Sequence, residues 1–158
     1  MKLLILITAI AIIGLWALNK TKKNKENEIE IFPFYAKKSV LTKVEQILYF
    51  RLIKALPEKI ILAQVQLSQL LGVKSGENFY KWHNRINRMS CDFVVCNQDT
   101  SIIAVIELDD ATHQREDRKA ADAKKDKALN SANIRIIRWQ AKELPNEETI
   151  KSYFKKAD

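Results

Sequence analysis

Histidine and cysteine occur only twice each in this 158-residue chain, and glycine and proline three times each. So few glycines and prolines leave little material for long irregular connections, and short loops between regular elements are expected. Two cysteines make no disulfide framework. Cys91 and Cys96 lie five apart in one strand-like run, which is expected to turn their thiols to opposite faces and suits a reducing compartment. There is no internal repeat and no extended low-complexity tract. The length allows one ordinary domain and an appendage.

The appendage is at the start. Leu3 to Leu18 carries no charge, and Thr8 is its one polar side chain. As a helix it spans roughly 24 Å against a hydrocarbon core of about 30 Å. Lys2 and Lys20 can snorkel, and Trp16 suits an interface. A cleaved signal peptide needs a small-residue cleavage site, which the stretch from Gly14 to Lys20 does not offer. A buried core helix would need the small remainder of the chain to wrap it on all sides. The expectation is an uncleaved, single-pass membrane anchor over residues 3–18.

Charge gives that anchor a direction. Lys20, Lys22, Lys23 and Lys25 follow the run, whereas Lys2 alone precedes it. The positive-inside rule then places the C-terminal side in the cytoplasm. The net charge is +8, of which the five lysines of residues 1–25 supply +5 with no acid among them, leaving 8 − 5 = +3 for the rest. The basic excess belongs to the juxtamembrane segment, where it meets anionic headgroups. By bulk charge the remainder is not an indiscriminate nucleic-acid binder. The expected organisation is an anchor over 1–19, a polar linker over 20–38 and a domain over 39–158.

Within that domain, Thr42-Lys43-Val44-Glu45 is a capping box opening a helix that Pro57 ends. Ile60 to Leu67 reads as a strand, Leu67 to Leu71 as a short helical turn, Gly72 to Gly76 as a loop and Phe79 to Ile86 as a helix. Cys91 to Cys96 and Ile102 to Ile106 are strands joined by a turn, the second apolar enough to be central. The charged stretch Gln114 to Ala132 reads as a helix that Asn133 closes in a left-handed conformation. Ile134 to Trp139 is a strand and Glu147 to Lys155 a final helix. The class is α/β: a mixed sheet flanked by helices.

The candidate chemistry lies at one end of the strand pair. With Asn97 opposite Ile102, Cys96 faces Ile103, Val94 faces Val105, and Asp92 faces Glu107 on one side of the sheet. Asp109 projects to the same side as Glu107. Three converging carboxylates repel unless a cation joins them, and Mg²⁺, with Mn²⁺ as substitute, fits such a hard oxygen site. A solvated strand end accounts for Asp109 and Asp110, but not for Asp92 and Glu107 inside apolar runs. His113 either serves as a general base near the metal or caps the charged helix. Lys125 either faces the site or forms ion pairs on a solvated helix face. Tyr80, Trp82, Arg85 and Arg88, with Phe79, interleave aromatics and bases as nucleobase stacking and phosphate pairing require. Core aromatics beside surface arginines are the plainer alternative.

These motifs resemble a bacterial family catalogued as domain of unknown function 2726. The resemblance runs from Leu41-Thr42-Lys43-Val44-Glu45 through Ala55-Leu56-Pro57 and Gln64-Val65-Gln66-Leu67. It continues with Asp92 to Cys96 and Ile106-Glu107-Leu108-Asp109-Asp110 with His113, and reaches Asp122, Lys125-Asp126, Leu129 and Ile134 to Arg138. That family is similar to the very-short-patch-repair endonuclease and to the PD-(D/E)XK nuclease superfamily. The resemblance implies a restriction-endonuclease-like sheet core with a metal at the acidic strand ends. Asp92 would be the metal-binding Asp, and Glu107 would fill the Asp/Glu of the (D/E)XK element. Asp109 stands where the superfamily usually has lysine, so Lys125 from the helix or His113 as base would take that part. The resulting expectation is a membrane-anchored, Mg²⁺-dependent nuclease-like domain acting on nucleic-acid phosphodiesters. A catalytically silent fold that binds nucleic acid or scaffolds partners at the membrane is the alternative.

Overall fold

The computed structural model describes residues 10–20, 32–109 and 116–155, with the side chains of 116–118 excepted. The chain divides into two units, Met1–Lys38 and Ser39–Asp158. In the first, residues 10–20 are helical, and Ile10, Ile12, Ile13, Leu15, Trp16 and Leu18 are all exposed. Residues 3–9 of the expected anchor and residues 21–31 of the linker lie outside the described residues. Among the described residues no helix is long and apolar enough to cross a membrane.

The second unit runs α1 (Lys43–Ala55), β1 (Ile60–Gln66), α2 (Leu67–Leu70), α3 (Phe79–Ile86), β2 (Ser90–Cys96), β3 (Ile102–Asp109), α4 (Glu116–Ser131), β4 (Arg135–Gln140) and α5 (Glu147–Lys155). Local chemistry sets the ends. The Thr42 hydroxyl accepts the Glu45 N–H, and the Glu45 carboxylate accepts the Thr42 N–H at 2.6 Å, completing the capping box. Leu56 leaves the helical region, as the residue before a proline must. Asn78 and Asn146 cap α3 and α5 by accepting the N–H of Lys81 and Thr149. Asn133 takes φ 56° after α4, the left-handed stop expected of it. The helix expected from Gln114 is described from Glu116, since 110–115 lie outside the described residues.

The strands form one sheet in the order β1-β2-β3-β4. β1–β2 and β2–β3 are antiparallel, while β3–β4 is parallel and spans the crossover through α4 that a parallel pair requires. One core layer packs Leu48, Leu52 and Ala55 of α1 and Ile150 and Phe154 of α5 on Phe93, Val95, Ala104, Ile106, Ile137 and Trp139. The other packs Leu67, Ile86 and Leu129, from α2, α3 and α4, on Cys91, Val94, Cys96 and Val105. Burying one such aliphatic side chain contributes roughly 1.5–3 kcal/mol.

Two sequence expectations change in detail. Val94 does pair with Val105, but the register shifts between Val95 and Cys96, so Cys96 meets Ile102 rather than Ile103. Cys91 and Cys96 belong to the same core layer rather than to opposite faces. The change coincides with an irregularity in β1, where Gln64 has φ 54° and interrupts the pleat. Ala63↔Phe93 and Val65↔Cys91 pair on either side of it, and the in–out alternation resets between them. Both thiols are free and buried.

Candidate functional site

The polar cluster begins where the β2–β3 ladder stops. Its last pair is Phe93↔Ile106; beyond it the Asp92 carboxylate takes the ladder's place, Oδ2 accepting the Leu108 N–H at 2.8 Å. Burial raises the Asp92 carboxyl above the ordinary value, against the opposing pull of that N–H and of Lys125. Glu107 is 5% exposed, the one buried charged side chain among the described residues. Its Oε2 accepts from Lys125 Nζ at 2.7 Å, while Oε1 is buried with no hydrogen-bond partner among the described residues. Burial raises this carboxyl as well, the Lys125 ammonium opposing and the Asp92 charge adding to the rise.

Lys125 arrives from α4, three turns into the helix, and also donates to the Ser90 carbonyl at 3.0 Å. One ammonium thus ties α4 to the first residue of β2 and to the acidic end of β3. Of the two sequence readings of Lys125, the inward-facing one holds. Cys91 lies against the same carboxylate. Burial, with the negative charge of Glu107 beside it, pushes its thiol up to about 12, so at neutral pH it stays protonated, a weak S–H donor against Glu107.

Asp109 sits one pleat further along and has a different partner. Arg138 of β4 donates Nη1 to Asp109 at 2.8 Å and Nη2 to Asp126 of α4 at 2.6 Å. This clamp holds β3, β4 and α4 together. Among the described residues no three His, Cys, Asp or Glu side chains stand grouped as a metal set. The structure therefore brings Asp92, Glu107 and Lys125 together and turns Asp109 toward Arg138. His113 lies outside the described residues.

Sequence reasoning passed over two members of this cluster. Gln64 Nε2 donates to Glu45 Oε1 at 2.9 Å, and its amide also reaches Asp92. Glu45 is legible as a capping-box residue, but only one of its oxygens does that work. The signal for Gln64 was its place between Ala63 and Val65, a long polar side chain in an apolar strand, as for Asp92. Arg138 was also missed, because its two partners come from elements far apart in sequence.

The stretch 79–88 departs from the core-aromatic alternative. Phe79, Tyr80 and Trp82 are exposed, Tyr80 at 76%, and only Ile86 of α3 is buried. Arg85 lies over the Trp82 ring at 4.8 Å from its centroid, and Phe79 stacks on His83. Arg85 and Arg88 are both exposed. Two residues after Arg88 the chain reaches Ser90, whose carbonyl binds Lys125.

No curated protein and no solved structure matches this chain. The pattern of a family described as Protein of unknown function (DUF2726) matches residues 37–157, which takes in the whole sheet, both core layers and every residue of the acidic cluster. The chain belongs to the DUF2726 family.

Proposed function

We propose that this protein is a membrane-anchored, Mg²⁺-dependent nuclease-like domain acting on nucleic-acid phosphodiesters. One observation carries the reading: Glu107 is buried beside Asp92 with Oε1 unpartnered among the described residues. A buried carboxylate oxygen with no donor nearby stronger than the Cys91 S–H is costly, and a hard cation is the partner that such an oxygen suits. Asp92 and Glu107 would hold the ion. The chemistry that a bound Mg²⁺ supplies is polarisation of a phosphodiester and activation of water. Lys125 orients Glu107 and would take the part of the lysine that superfamily nucleases carry two residues after the acid, where this chain has Asp109. Asp109 and His113 complete the proposed set. The exposed Tyr80, Trp82, Arg85 and Arg88 give bases a stacking surface and phosphates two guanidinium groups. The exposed apolar residues of helix 10–20, within the uncharged run from Leu3, support the membrane anchor, with the domain on the cytoplasmic side.

Purified full-length protein in detergent is expected to cleave DNA or RNA with Mg²⁺ or Mn²⁺ and to stop on chelation. Asp92→Ala and Glu107→Ala are expected to abolish cleavage. Equal activity in both variants would sink the site. The Arg138 clamp on Asp109 favours a second reading, a silent fold that binds nucleic acid or scaffolds at the membrane. Titration calorimetry separates the two. Mn²⁺ binding that disappears in Glu107→Ala supports the nuclease, and absence of cation binding by the unaltered chain supports the silent fold.

A further inference from the structure

Gln64 holds a backbone conformation that its side chain disfavours. Its φ of 54° lies in the left-handed region, where a Cβ crowds the neighbouring carbonyl, and it does so inside a strand rather than in a turn. Strand residues in that region persist only when their surroundings impose them. Here the surroundings are polar. The Gln64 amide donates to Glu45 Oε1 and reaches the carboxylate of Asp92. Glu45 is itself fixed through Oε2 on the Thr42 N–H, and Asp92 through Oδ2 on the Leu108 N–H. Polar groups thus line up from the first turn of α1, across β1, to the end of β3, with Gln64 bonded to Glu45 and set opposite Asp92. The pairs Ala63↔Phe93 and Val65↔Cys91 bracket the irregularity, so it sits opposite Asp92.

We infer that Gln64 is a positioning residue: its left-handed backbone aims an amide between two carboxylates and thereby sets the orientation of Asp92 in the acidic cluster. A regular strand residue opposite Asp92 would lie on one face of the sheet, whereas the left-handed backbone leaves the Gln64 amide on Glu45 as well. An amide suits this place better than lysine or arginine, because it can serve two carboxylates without neutralising Asp92. The inference rests on the proposed cation site only for its purpose; the positioning itself is a property of the metal-free fold.

The test uses full-length protein in detergent and two variants. Gln64→Gly relieves the left-handed backbone and deletes the amide. Gln64→Asn tolerates the backbone but is one methylene too short for both partners. Three readouts are taken: thermal unfolding, hydrogen exchange of the Leu108 amide, and Mn²⁺ affinity by calorimetry. Gln64→Gly is expected to unfold at the same temperature as the unaltered protein or higher, while the Leu108 amide exchanges at least about tenfold faster as Asp92 loosens. Mn²⁺ affinity is expected to fall roughly 10- to 100-fold, the usual effect of removing a residue that orients a ligand. If Gln64→Gly does not fold, Gln64→Asn is judged by the same Leu108 exchange. Leu108 protection equal to that of the unaltered protein in the folded variant overturns the inference, whatever the cation affinity. Faster Leu108 exchange in a protein that binds no Mn²⁺ supports the positioning and counts instead against the proposed function.

Discussion

The β2–β3 hairpin has two ends built from the same strands. Toward the turn, Phe93, Val94 and Val95 face Ile106, Val105 and Ala104, all buried and apolar. Toward the other end, within three residues, the same strands carry Asp92, Glu107 and Asp109, and the ladder gives way to side-chain hydrogen bonds. The dry end stabilises the sheet by removing apolar surface from water. At the acidic end charge is taken out of water, the positive charges of Lys125 and Arg138 offset only part of that cost, and one buried oxygen stays unpartnered among the described residues. Apolar residues of similar volume would serve the fold at least as well there. The difference teaches that the acidic end is shaped by something other than stability.

The predictions break or sharpen that contrast. The largest effects come from damaging either end singly. Phe93→Ala at the dry core is expected to lower stability by about 3–5 kcal/mol through the cavity it leaves, read from urea unfolding. Lys125→Met is expected to cost a similar amount, about 3–5 kcal/mol, because it strands a buried Glu107 charge. The informative case is the pair together. Glu107→Met with Lys125→Met is expected to be neutral or to stabilise by about 1–4 kcal/mol while removing cation binding. A double variant as unstable as Lys125→Met alone would mean that the ion pair holds the fold together.

A smaller effect follows from pH. Burial raises the folded-state Asp92 and Glu107 carboxyls above their unfolded values of about 4. In the interval above pH 4 the folded state therefore binds more protons than the unfolded state. Their contribution to stability is full below the unfolded value and is lost as pH rises through the raised folded values. The unaltered protein is expected to lose ground to Glu107→Gln as pH rises from 4 toward 7, measured by chemical denaturation. A constant difference between the two across that range would contradict the assigned direction. The smallest effect belongs to the Arg138 clamp. Its carboxylate partners are about a third exposed, so Arg138→Met is expected to cost no more than about 1 kcal/mol in thermal unfolding.

Most of the fold is legible from local pattern. The capping box, the proline stop, the left-handed Asn133 and the apolar run Ile103 to Ile106 locate α1, the end of α4 and the central strand, because each signal acts within a few residues. The acidic residues stand out for the same kind of reason: charge inside an apolar run. What these patterns missed needed neighbours from afar. The reset of the pleat that puts Cys91 and Cys96 in one core layer falls where β2 pairs with β1 around Gln64, far away in sequence. The exposure of Phe79, Tyr80 and Trp82 depends on α3 meeting the sheet only through Ile86.

The sequence by itself determined the α/β class, its DUF2726 membership, the positions of nearly every element and the identity of the acids at the end of the hairpin. It did so because capping, periodicity and a charge among apolar residues are properties of neighbours along the chain. Only the tertiary structure decided how those acids are shared out: Glu107 to Lys125, Asp109 to Arg138, and Asp92 to Gln64 and the Leu108 N–H. Each of these pairings joins residues 16 or more positions apart, so it exists only once strands, register and helix faces are in place.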